Sequence, residues 1–159
     1  MAFSYFWNIQ TQEDMNAEPI VIEKLYDASP ATIWEALTNK DVMKQWYFDL
    51  TEFKPEVGFE FRFPGGPDGK SYTHICEVVS AVKEQQLAYT WRYEGYPGVS
   101  TLTFDLKAED GGTRFKLTHE GLETFPADNP DLARENFVKG WDYIIPISLT
   151  NFLEGKKQN

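Results

Sequence analysis

His74 and Cys76 stand two residues apart in a stretch that alternates in strand fashion, so both side chains project from one face. A thiol beside an imidazole is the pairing that makes an activated thiolate. Two residues along a strand is roughly 7 Å, beyond hydrogen-bonding distance, and no third residue is evident to orient the histidine. The spacing suits a cavity wall of a polar histidine and a small buried cysteine, and neither residue is expected to be essential to an activity. A second stretch, Pro64-Gly65-Gly66-Pro67-Asp68-Gly69-Lys70-Ser71, comes near the glycine-rich loop that cradles phosphates ahead of a lysine and a serine. It opens on proline, and strand patterns flank it on both sides, whereas the phosphate loop needs a helix after it. The reading is a hairpin loop, with ATP binding a remote alternative.

Metal chemistry has less support. The chain has only two histidines, His74 and His119, and no pair of carboxylates at ligand-like spacing. No metal and no cofactor are expected. His119 falls on the apolar face of its own strand, where a lone histidine is more often hydrogen-bonded in a core than catalytic. No nucleophile elbow, paired-acid signature or dinucleotide fingerprint is present, which weighs against an enzyme.

The 159 residues suit one domain, and 16% aromatic content, with 12 Phe, 8 Tyr and 5 Trp, exceeds what a small core needs for volume alone. Such residues line a cavity or pack under a curved sheet. A net charge of −10 argues against nucleic acid and against an anionic membrane surface. The single cysteine, Cys76, excludes an internal disulfide framework and suits a reducing cytoplasm. The first residues carry no signal-peptide pattern, and no apolar run reaches the ~18 residues of a membrane span, so a soluble, cytoplasmic chain is expected.

These residues need elements to position them. Residues 1–17 form an aromatic arm around Phe3, Tyr5, Phe6 and Trp7, expected to pack over the sheet edge or across a homodimer. Ile20 to Tyr26 reads as a strand. Ser29-Pro30 caps a short helix carrying Ile33, Trp34 and Leu37, and Asn39 starts another with Val42, Met43 and Trp46. The period then changes to two, through Phe59-Phe61-Phe63, Tyr72 to Val82, Leu87 to Tyr93, Leu102 to Leu106 and Phe115 to His119. Short turns between them, Asp110-Gly111-Gly112 among them, imply an antiparallel meander. Asn129-Pro130 predicts the start of a helix of about 25 residues that Gly155 ends, long enough at 1.5 Å per residue to cross a sheet, with Pro146 kinking it and holding it off the sheet there. Phe137, Trp141, Ile144, Ile145, Ser148, Leu149 and Phe152 share one face of it at helical spacing.

This order (strand, two short helices, six strands, long helix) resembles the START-like or Bet v-like helix-grip superfamily, and more closely the branch named for the activator of heat-shock-protein-90 ATPase. The carrying residues are Leu25 to Thr38, Trp46 with Phe48, Gly58 to Phe61, Gly112 to Phe115 with Leu117 to Gly121, and Gly140-Trp141. The resemblance implies an α+β helix-grip domain over 18–155, a curved antiparallel sheet wrapped on a long C-terminal helix. It also implies a binding cavity between sheet and helix, and it carries over no catalytic residues. The expected function is a non-catalytic binding protein for a small hydrophobic or lipid-like ligand. The alternatives are a stress-related or chaperone-ATPase-activator-like protein-interaction module with a chaperone partner, and a small cyclase or hydrolase using the cavity. Strand parity places Phe61, Phe63, Tyr72, His74, Tyr89, Trp91, Phe104, Phe115 and His119 on the cavity's sheet side, and helical spacing places Trp141, Ile145 and Ser148 opposite them. Tyr72, His74, His119 and Ser148 bring polar groups to that apolar face, where each needs a partner or a ligand.

Overall fold

The computed structural model describes residues 17–157, and the aromatic cluster Phe3 to Trp7 lies outside them. Strand β1, Ile20–Tyr26, leads into helix α1, Pro30–Thr38. Ser29 caps α1 by accepting from the Thr32 N–H at 3.1 Å, and Pro30 needs no hydrogen-bond acceptor at the first turn. The face of α1 carrying Ile33, Trp34, Ala36 and Leu37 is buried. Asn39 stops α1 and caps α2, Lys40–Met43, by accepting from the Asp41 N–H.

Five strands follow, one fewer than expected: β2 (Glu60–Gly65), β3 (Tyr72–Val82), β4 (Gln86–Tyr93), β5 (Ser100–Glu109) and β6 (Gly112–Glu120). The stretch between α2 and β2 is apolar enough for a strand, but Pro55 and Gly58 break it, and it buries Leu50 and Phe53 as a loop. All six strands form one antiparallel sheet in the order β1-β6-β5-β4-β3-β2. The β5–β6 hairpin turns on Asp110 and Gly111, with φ of 51° and 79°, the left-handed pair that suits the twist of its strands. A side chain on Gly112 would run into the Tyr26 carbonyl, so glycine lets β1 close against β6. A bulge between Val78 and Ser80 bends β3 and reverses its parity: His74, Cys76 and Val78 face the core before it, and Ala81 packs on the core after it.

The C-terminal segment departs from the single regular helix expected. Asn129 caps a 3-10 turn, Pro130–Leu132, accepting from the Asp131 N–H, and helix α3 starts only at Arg134 and runs to Tyr143. Pro146 lies in a π-turn, Ile144–Leu149, and α4 continues from Thr150–Lys157 through Gly155. A proline inside an α-helix removes an N–H and drives its ring into the carbonyl four residues back; widening the turn relieves that clash. The Ile145 carbonyl in the widened turn accepts from Tyr26 Oη at 2.9 Å, and Ser148 Oγ donates to the Trp46 carbonyl at 2.6 Å. Ile145 and Leu149 are fully buried. The segment is therefore pinned at Pro146, and the expectation that the proline holds the helix off the sheet is corrected. The result is an α+β helix-grip, a curved antiparallel sheet closed over a long C-terminal helical segment. Among the described residues no helix is long and apolar enough to cross a membrane.

Candidate ligand cleft

Towards the start of α3 the sheet and the helix part, leaving a cleft of about 440 Å³. His74 on β3 with Trp91 and Tyr93 on β4 make its sheet wall, and Phe137, Trp141 and Ile144 make its helix wall. Phe48 closes one side, and the β2–β3 hairpin tip, Gly65 to Pro67, faces Asp131 at the mouth. Trp91 is the hub. Its ring centroid lies 5.1 Å from His74, 5.8 Å from Trp141 and 6.0 Å from Phe48, and its Nε1 donates to Tyr93 Oη at 2.9 Å.

A polar clasp spans the mouth. Asp131 Oδ2 accepts from Tyr72 Oη at 2.7 Å and from Lys70 Nζ at 3.1 Å, and these two bonds hold the carboxyl below its usual range. The lysine that followed the glycine-rich stretch is thus engaged by a carboxylate. Gly65 pairs with Tyr72 across the hairpin, so strands flank the loop on both sides.

The two histidines hold opposite tautomers. His74 Nδ1 lies 3.2 Å from the Phe63 carbonyl and 3.1 Å from the Tyr72 carbonyl. Carbonyls only accept, so Nδ1 carries the hydrogen and Nε2 is a bare acceptor. At His119, Trp141 Nε1 donates to Nδ1 at 3.0 Å, and an indole N–H can only donate. The His119 Nε2–H therefore donates to Ser100 Oγ at 2.8 Å, and Ser100 passes its own hydrogen to the Trp91 carbonyl at 2.9 Å. Burial lowers the pKa of His74 to about 4 and of His119 to about 3, so both are neutral at physiological pH. Burial also pushes the Cys76 thiol far above its ordinary value. The thiol is held protonated between Phe61 and Trp91 of the adjacent strands, and it gives no thiolate.

Of the twelve cavity residues expected from parity and helical spacing, Tyr72, His74, Trp91 and Trp141 line the cleft. Phe61, Phe63, Tyr89, Phe104, Phe115, His119 and Ile145 are buried outside its lining, and Phe63 stacks directly behind His74 at 4.4 Å. Ser148 lies at the pinned π-turn. Tyr72, His119 and Ser148 each bond a protein group, so the demand for a ligand that their polarity raised is met within the chain. Sequence reasoning missed Tyr93, which shares the parity of Trp91, and Phe137 and Ile144, which lie on the helix face already identified. Phe48, the hairpin tip and Asp131 had no periodicity to reveal them, because they come from loops and a 3-10 turn. Among the described residues no group of three or more His, Cys, Asp or Glu is arranged to hold a metal ion.

The family model described as Activator of Hsp90 ATPase homolog 1-like protein matches residues 27–154. Among solved structures, the protein MLL2253 from Mesorhizobium loti is 25% identical and superimposes with a TM-score of 0.68 over 86% of this chain and 97% of that one. CV1439 from Chromobacterium violaceum, 20% identical, gives a TM-score of 0.71 over 86% of this chain and 96% of its own. CalU16 from Micromonospora echinospora, 23% identical, gives 0.66 over 88% of this chain and 78% of its own. The last two likenesses speak for the fold alone. No curated protein matches the chain.

Proposed function

The chain belongs to the family of Activator of Hsp90 ATPase homolog 1-like proteins, and from that premise we propose that it binds a small apolar ligand between sheet and helix without transforming it. The observation that carries this reading is the cleft itself, about 440 Å³ lined by the touching Trp91 and Trp141 with Phe48, Phe137 and Ile144. That volume lies in the usual range for small-molecule sites, roughly 300–1,000 Å³, and its walls are apolar with a few polar groups. The protonated Cys76 and the two neutral histidines supply no activated nucleophile, which supports binding over catalysis. The lone buried thiol fits a reducing cytoplasm.

An apolar fluorescent dye tests this. It is expected to bind the folded protein and quench tryptophan emission, and Trp141→Ala is expected to weaken the quenching while the fold, checked by circular dichroism, persists. A folded protein that takes up no dye would sink the reading. The second reading, a protein-interaction module, would then stand first. It is supported by the family's name and by Tyr143 and Ile147, large apolar side chains 61% and 45% exposed one helical turn apart.

A further inference from the structure

His74 has one polar atom that the fold does not use. Its Nδ1–H is shared by the carbonyls of Phe63 and Tyr72, and its Nε2 has no partner among the described residues. Every side-chain nitrogen or oxygen sealed from solvent among those residues has a partner, so Nε2 is not sealed: it opens onto the cleft that His74 lines. Beside it, Tyr93 Oη accepts from Trp91 Nε1, and an indole cannot accept in return, so the Tyr93 hydroxyl hydrogen is also left without an acceptor among the described residues. The two rings are 4.7 Å apart on one wall.

We propose that the cleft selects a ligand with an aromatic or polycyclic body and a hydroxyl group, the hydroxyl donating to His74 Nε2 while a neighbouring ligand oxygen accepts from Tyr93 Oη. This deepens the binding reading above and rests on it. A wholly apolar ligand would strip water from Nε2 and leave a buried acceptor unmet, which costs more than the contact gains there. A carboxylate or an ether head would set lone pair against lone pair. A hydroxyl satisfies the atom, and its flat carrier lies in the cleft against the aromatic wall that Trp91, Trp141, Phe48 and Phe137 line. The low basicity of His74 supports the assignment, since the ring stays an acceptor instead of taking a proton and attracting anions.

The test compares α-naphthol with its methyl ether, equal in ring but not in donor, by titration calorimetry on the wild-type chain and on His74→Phe. Wild type is expected to favour α-naphthol about five- to tenfold, the worth of one neutral hydrogen bond, and His74→Phe to bind both probes alike. Equal binding by wild type would overturn the hydroxyl assignment and leave the cleft reading intact; binding of neither probe would overturn both. Nitrogen NMR of the histidine rings covers the case in which His74→Phe does not fold. The unprotonated His74 Nε2 resonance is expected to move with α-naphthol and not with the ether, while His119 stays still. A silent His74 Nε2 during saturable binding of α-naphthol overturns the proposal.

Discussion

His119 and His74 are both buried, both neutral and both set among tryptophans, yet their surroundings have opposite characters. Around His119 each polar atom hands a hydrogen to the next, from Trp141 through the ring and Ser100 to the Trp91 carbonyl, and the chain of bonds ties the helix to β6, β5 and β4. Around His74 the bonds stop at Nδ1, and the other side of the ring faces open space. Burial is therefore a poor marker of a binding site in this fold. What separates a pin from a wall is whether the last acceptor has been met.

The largest effect should come from breaking the pin. His119→Ala leaves a cavity together with an unmet indole N–H on Trp141, so a loss of about 3–5 kcal/mol is expected in urea denaturation. His74→Phe keeps the stacking on Phe63 and should lose only about 1 kcal/mol. Equal losses would erase the distinction between the two regions.

Acid sharpens the comparison from the other side. Both rings have folded pKa values, about 3 and about 4, below the ordinary value of 6.5. Unfolded histidines bind protons below pH 6.5 while the folded ones do not, so stability is full above that pH and falls as pH drops. Between about pH 6.5 and 5, ahead of most carboxylate titration, each histidine contributes a decline that steepens to about 1.4 kcal/mol per pH unit. Removing either ring should lower the slope by the same amount, although their costs at neutral pH differ. A pH-independent stability across that interval would contradict the buried neutral assignment.

The smallest effect belongs to the clasp at the mouth. Asp131 is on the surface side of the cleft, and its ion pair with the exposed Lys70 is of the kind that adds little to stability. Asp131→Asn is expected to leave the melting temperature nearly unchanged and to raise the rate of dye entry in stopped-flow fluorescence. A large drop in melting temperature would make the clasp part of the fold instead of a gate over the wall.

The strands, both N-terminal caps of α1 and α2, and the sheet-facing aromatics were legible because alternation and capping are local signals. Trp91, Trp141, Tyr72 and His74 followed from parity and helical spacing. Two things were not legible. The beginning of the last helix was hidden because Asn129-Pro130-Asp131 caps a 3-10 turn with the same residues that cap an α-helix. The extent of the cavity was hidden because parity names a face and not how tightly the opposite layer packs on it. Phe104, Phe115 and Ile145 meet close-packed neighbours, whereas His74 and Trp91 meet a gap that loops from elsewhere in the chain define.

The π-turn at Pro146 has a consequence for the phase of the whole C-terminal segment. Phe137, Trp141, Ile145, Leu149 and Leu153 are all buried, and they recur at every fourth residue. On an α-helix of 3.6 residues per turn, a strict four-residue repeat gains about 40° at each step, so the fifth anchor would point roughly 160° away from the first. One widened turn spends more residues on a revolution than an α-turn does, and so takes back part of that drift midway. The residue that would break an ordinary helix acts here as a leap day, bringing the later anchors back towards the direction of the earlier ones.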